Sequence, residues 1–184
     1  FDGRQLLNIS ELIETVHRHH GIVIIDAAQA MAHSSAILYK TNPDAICFSA
    51  HKLYAPSLGV IVWHHDLIAK THPTFIGGGM VDDVDKDTFQ LSARSKLHFH
   101  TRFEPGLQAW GEIIGLGAAL DWLQSLPASD HQNLTTNSKN LFTFLKSHQH
   151  VHLVNQQPNP TISFYLDHLN SHLLGEALSR ENIM

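Results

Sequence analysis

Ile22-Val23-Ile24-Ile25-Asp26, followed by a second apolar run at Ala45-Ile46-Cys47-Phe48-Ser49 and a third at Gly59-Val60-Ile61-Val62-Trp63, decides the fold. The first run is β-branched and apolar without alternation, as in a parallel-sheet strand covered on both faces. Eighteen residues lie between Asp26 and Ala45, enough for the crossover of a dozen or more that parallel neighbours need, so the first two strands should run the same way. The link from Ser49 to Gly59 carries Pro56 and is too short for a crossover, which makes the third strand an antiparallel neighbour. An α/β fold is expected, with a mixed, mostly parallel sheet and helices on both faces.

Outward from this core, Ile9, Leu12, Ile13 and Val16 form a helical stripe over 9–20, with Asn8 or Ser10 placed to cap it and Gly21 to stop it. Residues 72–97, with Gly77-Gly78-Gly79 and the acidic group Asp82, Asp83, Asp85 and Asp87, read as a solvated surface loop serving a site or an interface. The stretch 108–126 reads as a buried helix in which Gly111, Gly115 and Gly117 allow close approach to another element. Leu126-Pro127-Ala128-Ser129 looks like a linker, followed by a helix over 137–147, strands over 152–154 and 161–166, and a helix over 171–180. This αββα order, with a shift towards Asn, Gln and His, places a domain boundary between 1–126 and 127–184, the latter beginning a smaller α+β domain.

Composition narrows the function. Twelve basic residues against 17 acidic ones, a net charge of -5 and no basic tract disfavour nucleic acid. The longest apolar runs fall far short of the roughly 20 residues that cross a bilayer. No secretory signal opens the chain, and the single Cys47 forms no intrachain disulfide, so a reducing, cytoplasmic setting is expected. A start without Met and an end without a cap or turn signal read as a truncated sequence. Ten of the 16 histidines cluster, at His17, His19, His20, at His64, His65, at His98, His100 and at His148, His150, His152. Neither H-E-x-x-H nor paired Cys accompanies them, so no metal site is expected. The alternation at 148–152 would set three imidazoles on one face of an extended segment, read as surface decoration.

Ligands of open α/β sheets sit beyond the carboxyl ends of parallel strands. Here Asp26 closes the first strand, Gln29 follows on the outgoing loop, and Ser49, His51 and Lys52 follow the second. Singly, each has a bland explanation: a turn-forming Asp, a loop Gln, a solvated His-Lys pair. If the two strands are neighbours, a carboxylate, an amide, a hydroxyl, an imidazole and an amine are expected to face one crevice. Cys47, inside its strand, reads as a small core residue.

Five motifs in order, Ile24-Ile25-Asp26-Ala27-Ala28-Gln29, Cys47-Phe48-Ser49-Ala50-His51-Lys52-Leu53-Tyr54-Ala55-Pro56, Gly77-Gly78-Gly79, Arg102-Phe103-Glu104 and Ile113-Ile114-Gly115-Leu116-Gly117-Ala118-Ala119, resemble the class V aminotransferase family, nearest its cysteine desulfurase and selenocysteine lyase branch. The resemblance implies the fold-type I large domain of pyridoxal-phosphate (PLP) enzymes, with 1–126 as its second half. It implies PLP as cofactor, with Lys52 forming the internal aldimine and acting in catalysis. Asp26 would hold a proton on the pyridine nitrogen, Gln29 would donate to the ring oxygen, and Ser49 and His51 would bind the phosphate. The implied activity removes sulfur or selenium from L-cysteine or L-selenocysteine to give alanine. A homodimer, a sulfur-acceptor protein and a role in iron–sulfur cluster assembly are implied with it.

The chain departs from that pattern in places. Pro105-Gly106-Leu107 follows Arg102-Phe103-Glu104 and puts Leu107 where the family has a Thr that reaches the neighbouring subunit's cofactor phosphate. The family's nucleophilic Cys is expected past Met184, so these residues alone should be inactive. Alternatives on the same fold are an aminotransferase, epimerase or lyase without that Cys, and a non-catalytic binding module.

Overall fold

The computed structural model describes residues 9–33, 40–92 and 101–183, the side chain of His131 apart. It groups them into two compact units, Ser10–Gln124 and one that contains Ser125–Met184. Helix α1 (Ile9–Arg18) buries Ile13 to 2% exposure. It ends two residues before the expected His20, because His20 turns left-handed (φ 59) and the Gly21 N–H returns to the Val16 carbonyl at 2.9 Å. A Cβ on Gly21 would meet Val16 Cγ1 at 2.6 Å, so glycine is required by space as well as by the turn. The expected cap Asn8 lies outside the described residues.

Strands β1 (Ile24–Asp26), β2 (Ala45–Ser49) and β3 (Gly59–Trp63) form one sheet in that order. β1 and β2 are parallel and β2 and β3 antiparallel, the directions expected from connection lengths. In-register partners share a sheet face, so Ile25, Ile46 and Val62 line one side, and Asp26, Cys47 and Ile61 the other. The first side carries the core: Ile46 packs with Ala27, Met31 and Leu53, with Ile25, Phe48 and Leu123 against them. The expectation that β1 is covered on both faces does not hold. Ile24 is 62% and Ile61 50% exposed on the second side, where Ala45 is buried and Trp63 stacks on Phe103, so that face is covered only in part. Of the crossover from β1 to β2, residues 30–33 and Lys40 are helical, and 34–39 lie outside the described residues.

Asp44, just before β2, knits the amino-terminal edge of the sheet. Its Oδ2 accepts from the Val23 N–H at 2.8 Å and meets His17 Nε2 of α1 at 2.8 Å, while its carbonyl accepts from the His64 N–H at 2.7 Å. Burial alone would raise this carboxyl, but the Val23 N–H and His17 more than offset it, and Asp44 sits below the ordinary carboxylate range. His17 thus has a structural partner that its sequence cluster did not suggest.

Helix α2 (His65–Lys70) follows β3, its first turn capped by His64 Nδ1, which accepts from the Asp66 N–H. The stretch expected to be loop contains an antiparallel hairpin, β4 (Val81–Val84) with β5 (Phe89–Leu91), closed by Asp85 N–H to Thr88 carbonyl at 2.8 Å. Its strands are too short and too acidic for alternation to stand out, yet Val84 pairs with Phe89 and Val81 with Leu91. Its aspartates are solvated, as expected; residues 93–97 of that stretch, and His98 and His100, lie outside the described residues.

Helix α3 (Trp110–Ser125) was expected to be buried, yet only Ala119 is fully so, and Trp110, Ile114 and Trp122 are 53%, 72% and 49% exposed. A helix apolar on every side cannot satisfy all of them against one neighbouring surface.

In the second unit, Pro127 is the N-cap of α4 (Ala128–Lys146) rather than part of a linker. The first turns of α4 are polar and show no apolar stripe, but Asp130 suits the positive end of a helix dipole. Phe142 and Leu145 supply its buried side. Strands β6 (Val151–Leu153) and β7 (Phe164–Leu166) pair antiparallel, β6 one residue earlier than expected and β7 shorter, and α5 (Ser171–Arg180) begins at an Asn170 cap. Buried Asn155 holds the connection, donating to the Thr161 carbonyl at 2.9 Å and accepting from the Ser163 N–H at 2.5 Å.

The three alternating histidines do not share a face. His148 Nδ1 bonds the Phe144 carbonyl, while His152 Nε2 and His150 Nδ1 lie 2.6 and 3.6 Å from the two oxygens of Asp167. Only His152 is in a strand, so the period-2 rule does not reach the other two.

Candidate active site

The parallel pairing of β1 with β2 sets the register Asp26 to Cys47, so both carboxyl ends reach one edge of the sheet. Ser49 ends β2 two residues past Cys47, on the same face as Asp26. Strand spacing and rise put their Cα atoms about 8 Å apart. Asp26 Oδ1 accepts the Ala28 N–H at 2.9 Å, a turn that carries the chain to Gln29 and the helical residues from 30 onward. The ladder runs one bond beyond β1, from the Ala27 N–H to the Cys47 carbonyl at 2.8 Å, and Ala27 is fully buried. The carboxylate is therefore carried on a rigid strand end, and Gln29 on an exposed turn three residues later.

Ser49 is also the N-cap of a 3₁₀ turn, Ala50–Leu53, and its hydroxyl takes no part in the capping. With three residues per turn, Ala50 and Leu53 fall on one side, and both are buried, Leu53 among the core residues. His51 and Lys52 consequently project from the other sides, His51 exposed and Lys52 half-buried. The turn closes on itself: the Ala50 carbonyl accepts from the N–H groups of Tyr54 and Ala55, and the Ala50 N–H reaches the Leu58 carbonyl at 2.8 Å. Lys52 thus sits in the β2–β3 hairpin loop, at the sheet edge that also holds Asp26 and Ser49.

Two contacts that sequence reasoning did not name fix this loop against α3. The Tyr54 ring meets Trp122 edge-on, centroids 5.2 Å apart, and Gly115 lies against Pro56. Of the three α3 glycines expected to allow a close approach, only Gly115 meets a neighbour, since a Cβ on Gly111 or Gly117 would meet nothing within 4 Å. Cys47 is half-buried rather than a core residue, lying beside Asp26 on the less covered sheet face. Arg102 donates to the Thr71 carbonyl and lies over the Phe103 ring, which stacks on Trp63. The Gly78 carbonyl accepts from the Gly106 N–H at 2.9 Å, and Leu107 beside it is 90% exposed.

An open cleft of about 470 Å³ lies at the opposite edge of the sheet, lined by His17, His20, Asp44, His64, Asp66 and Lys70 among others. None of the five candidate residues lines it. Because α/β sheets present ligands at the carboxyl ends of parallel strands, the Asp26–Lys52 edge is the stronger candidate. Among the described residues no group of three or more His, Cys, Asp or Glu side chains is arranged for a metal ion, and no helix is long and apolar enough to cross a membrane.

The sequence is similar to a probable cysteine desulfurase of Haemophilus influenzae, 32% identical over 95% of this chain and 40% of the relative. A cysteine desulfurase of Synechococcus elongatus is 30% identical over 94% of this chain and 28% of its own length. The chain thus spans two fifths or less of these relatives. The structure superposes on the cysteine desulfurase CsdA of Escherichia coli with a TM-score of 0.80 at 24% identity, covering 96% of this chain and 43% of that one. A TM-score of 0.78 relates it to C-DES, a cystine C-S lyase, over 97% of this chain and 49% of the lyase. The fold is therefore shared with these two enzymes. The sequence model described as "Aminotransferase class-V" matches residues 2–184, and the chain belongs to that family.

Proposed function

We propose that this chain is part of a PLP-dependent cysteine desulfurase, with Asp26, Gln29, Ser49, His51 and Lys52 forming one side of its active site. The observation that carries the proposal is the parallel β1–β2 pair, which brings the carboxylate strand end and the Ser49-His51-Lys52 turn to one sheet edge. The donor set suits the cofactor: an amine for its aldehyde, a carboxylate for its ring nitrogen, an amide for its ring oxygen, and a hydroxyl and an imidazole for its phosphate. Bound PLP supplies an electron sink for negative charge developing at the substrate α-carbon.

The chain's own residues do the rest. Lys52 Nζ anchors the cofactor and moves the proton of the substrate α-carbon. Asp26, held by the Ala28 N–H, keeps a proton at the ring nitrogen. Ser49 and His51 orient the phosphate from a turn whose backbone is locked into the core. The substrate class is cysteine or selenocysteine: the Cβ–S or Cβ–Se bond breaks, the carbon skeleton takes a proton and leaves as alanine, and a cysteine thiolate of the whole protein takes the sulfur as a persulfide, or the selenium as a selenosulfide, for an acceptor protein in the cytoplasm, feeding iron–sulfur assembly. The working form is a homodimer, in which Leu107, lacking a hydroxyl, contributes no phosphate bond. Residues 1–126 form the second half of the large domain and 127–184 the start of the small one. Cys47 is not assigned the sulfur-accepting role.

The test uses the whole protein incubated with PLP. A visible absorption band is expected, with borohydride fixing the cofactor on the peptide that contains Lys52, and with cysteine consumed to alanine. Lys52→Ala should abolish the fixation and lower turnover by at least about 10²-fold. A band without desulfuration would point to another class V reaction, and no band in a folded protein to a non-catalytic module; either overturns the proposal.

A further inference from the structure

Helix α3 offers one face to the Lys52 loop. Gly115, Ala119 and Trp122 stand at i, i+4 and i+7, the spacing of a single helical stripe. Ala119 is the buried residue of the helix, Trp122 receives Tyr54, and Gly115 receives Pro56. A Cβ built on Gly115 would lie 2.6 Å from Pro56 Cγ and 2.8 Å from Cδ, whereas one on Gly111 or Gly117 would meet nothing within 4 Å. Tyr54 and Pro56 follow Lys52 by two and four residues in a loop closed by the Ala50 and Leu58 backbone bonds. Tyr54 itself holds the left-handed conformation (φ 63) that ends the 3₁₀ turn. Any displacement of Pro56 or Tyr54 is passed to Lys52 through this short closed loop, because the other side is pinned by Leu53 in the core.

We infer that Gly115 and Trp122 are positioning residues for Lys52, a two-point brace through Pro56 and Tyr54 that sets where the amine stands relative to Asp26. The inference rests on the assignment of Lys52 made above. It distinguishes Gly115 from the other glycines of α3: only at 115 is the missing side chain a condition of the site.

The experiment compares whole-protein Gly115→Ala, Gly117→Ala, Trp122→Leu and the double variant Gly115→Ala with Pro56→Ala. Folding is followed by circular dichroism. PLP affinity and the pH at which the visible band changes position report on Lys52 without relying on turnover. Gly115→Ala is expected to weaken PLP binding by about 10- to 100-fold and to shift that pH. Gly117→Ala should match the wild type, and the double variant should recover most of the loss, since removing the pyrrolidine ring makes room for the new methyl. General helix damage would not be rescued in this way.

Should Gly115→Ala fail to fold, Trp122→Leu decides: a folded protein with wild-type affinity and wild-type pH response overturns the brace. A folded Gly115→Ala indistinguishable from wild type, or one that the Pro56 change does not rescue, overturns it too. A wild-type protein that takes up no PLP at Lys52 sinks the assignment of Lys52 and the brace with it. Uptake in the wild type with unaffected variants sinks the brace alone.

Discussion

Asp44 shows how one carboxylate organises a region remote from the site. It joins α1, the entry to β1 and the exit of β3, and its carboxyl is held below the ordinary range by the Val23 N–H and His17 against the opposing effect of burial. A depressed folded-state value means that the stabilisation is complete above the unfolded value of about 3.9 and is lost as pH falls through the lower folded value. Urea unfolding measured from neutral pH down through the carboxylate range should therefore show stability falling below about pH 4. Asp44→Asn should be less stable at neutral pH and show a shallower acid loss. Asn155 is the counterpart in the second unit: Asn155→Ala leaves the Ser163 N–H and the Thr161 carbonyl without their side-chain partner and should cost about 1–3 kcal/mol, read by chemical denaturation.

Among the elements, α5 is the clearest case of a boundary written locally. Asn170 accepts the His172 N–H at 2.8 Å, and the helix was expected over the same residues that it occupies, 171–180. Asn170→Ala should destabilise by about 1 kcal/mol and Asn170→Ser hardly at all, as thermal melts can resolve. The β2–β3 hairpin illustrates the opposite. Both strands were legible as apolar runs, but the shape of the loop between them comes from its seats on the core and on α3. Helix α4 lies between these cases: its second half was expected as helix over 137–147, and its polar first turns were not.

At the scale of the whole molecule, many large apolar side chains among the described residues stand exposed. Ile24 and Ile61 on one sheet face, and Trp110 and Ile114 on α3, are exposed at 50% or more. Large apolar side chains left exposed to this extent favour association. The 184-residue chain expressed by itself should bind a hydrophobic dye strongly and self-associate, checked by fluorescence and light scattering. A monomer without dye binding would show that these residues are covered in solution.

Residue order alone determined strands β1, β2 and β3, the directions in which they run, and the candidate donors at their ends, because apolar runs, connection lengths and strand-end polar residues are local properties of the chain. Tertiary structure alone decided that Pro56 rests on Gly115, that His17 serves Asp44, that two of three alternating histidines share Asp167, and that β1 is open on one side. Each of these depends on which distant segment arrives opposite a given side chain, and such pairings leave no period in the sequence to read.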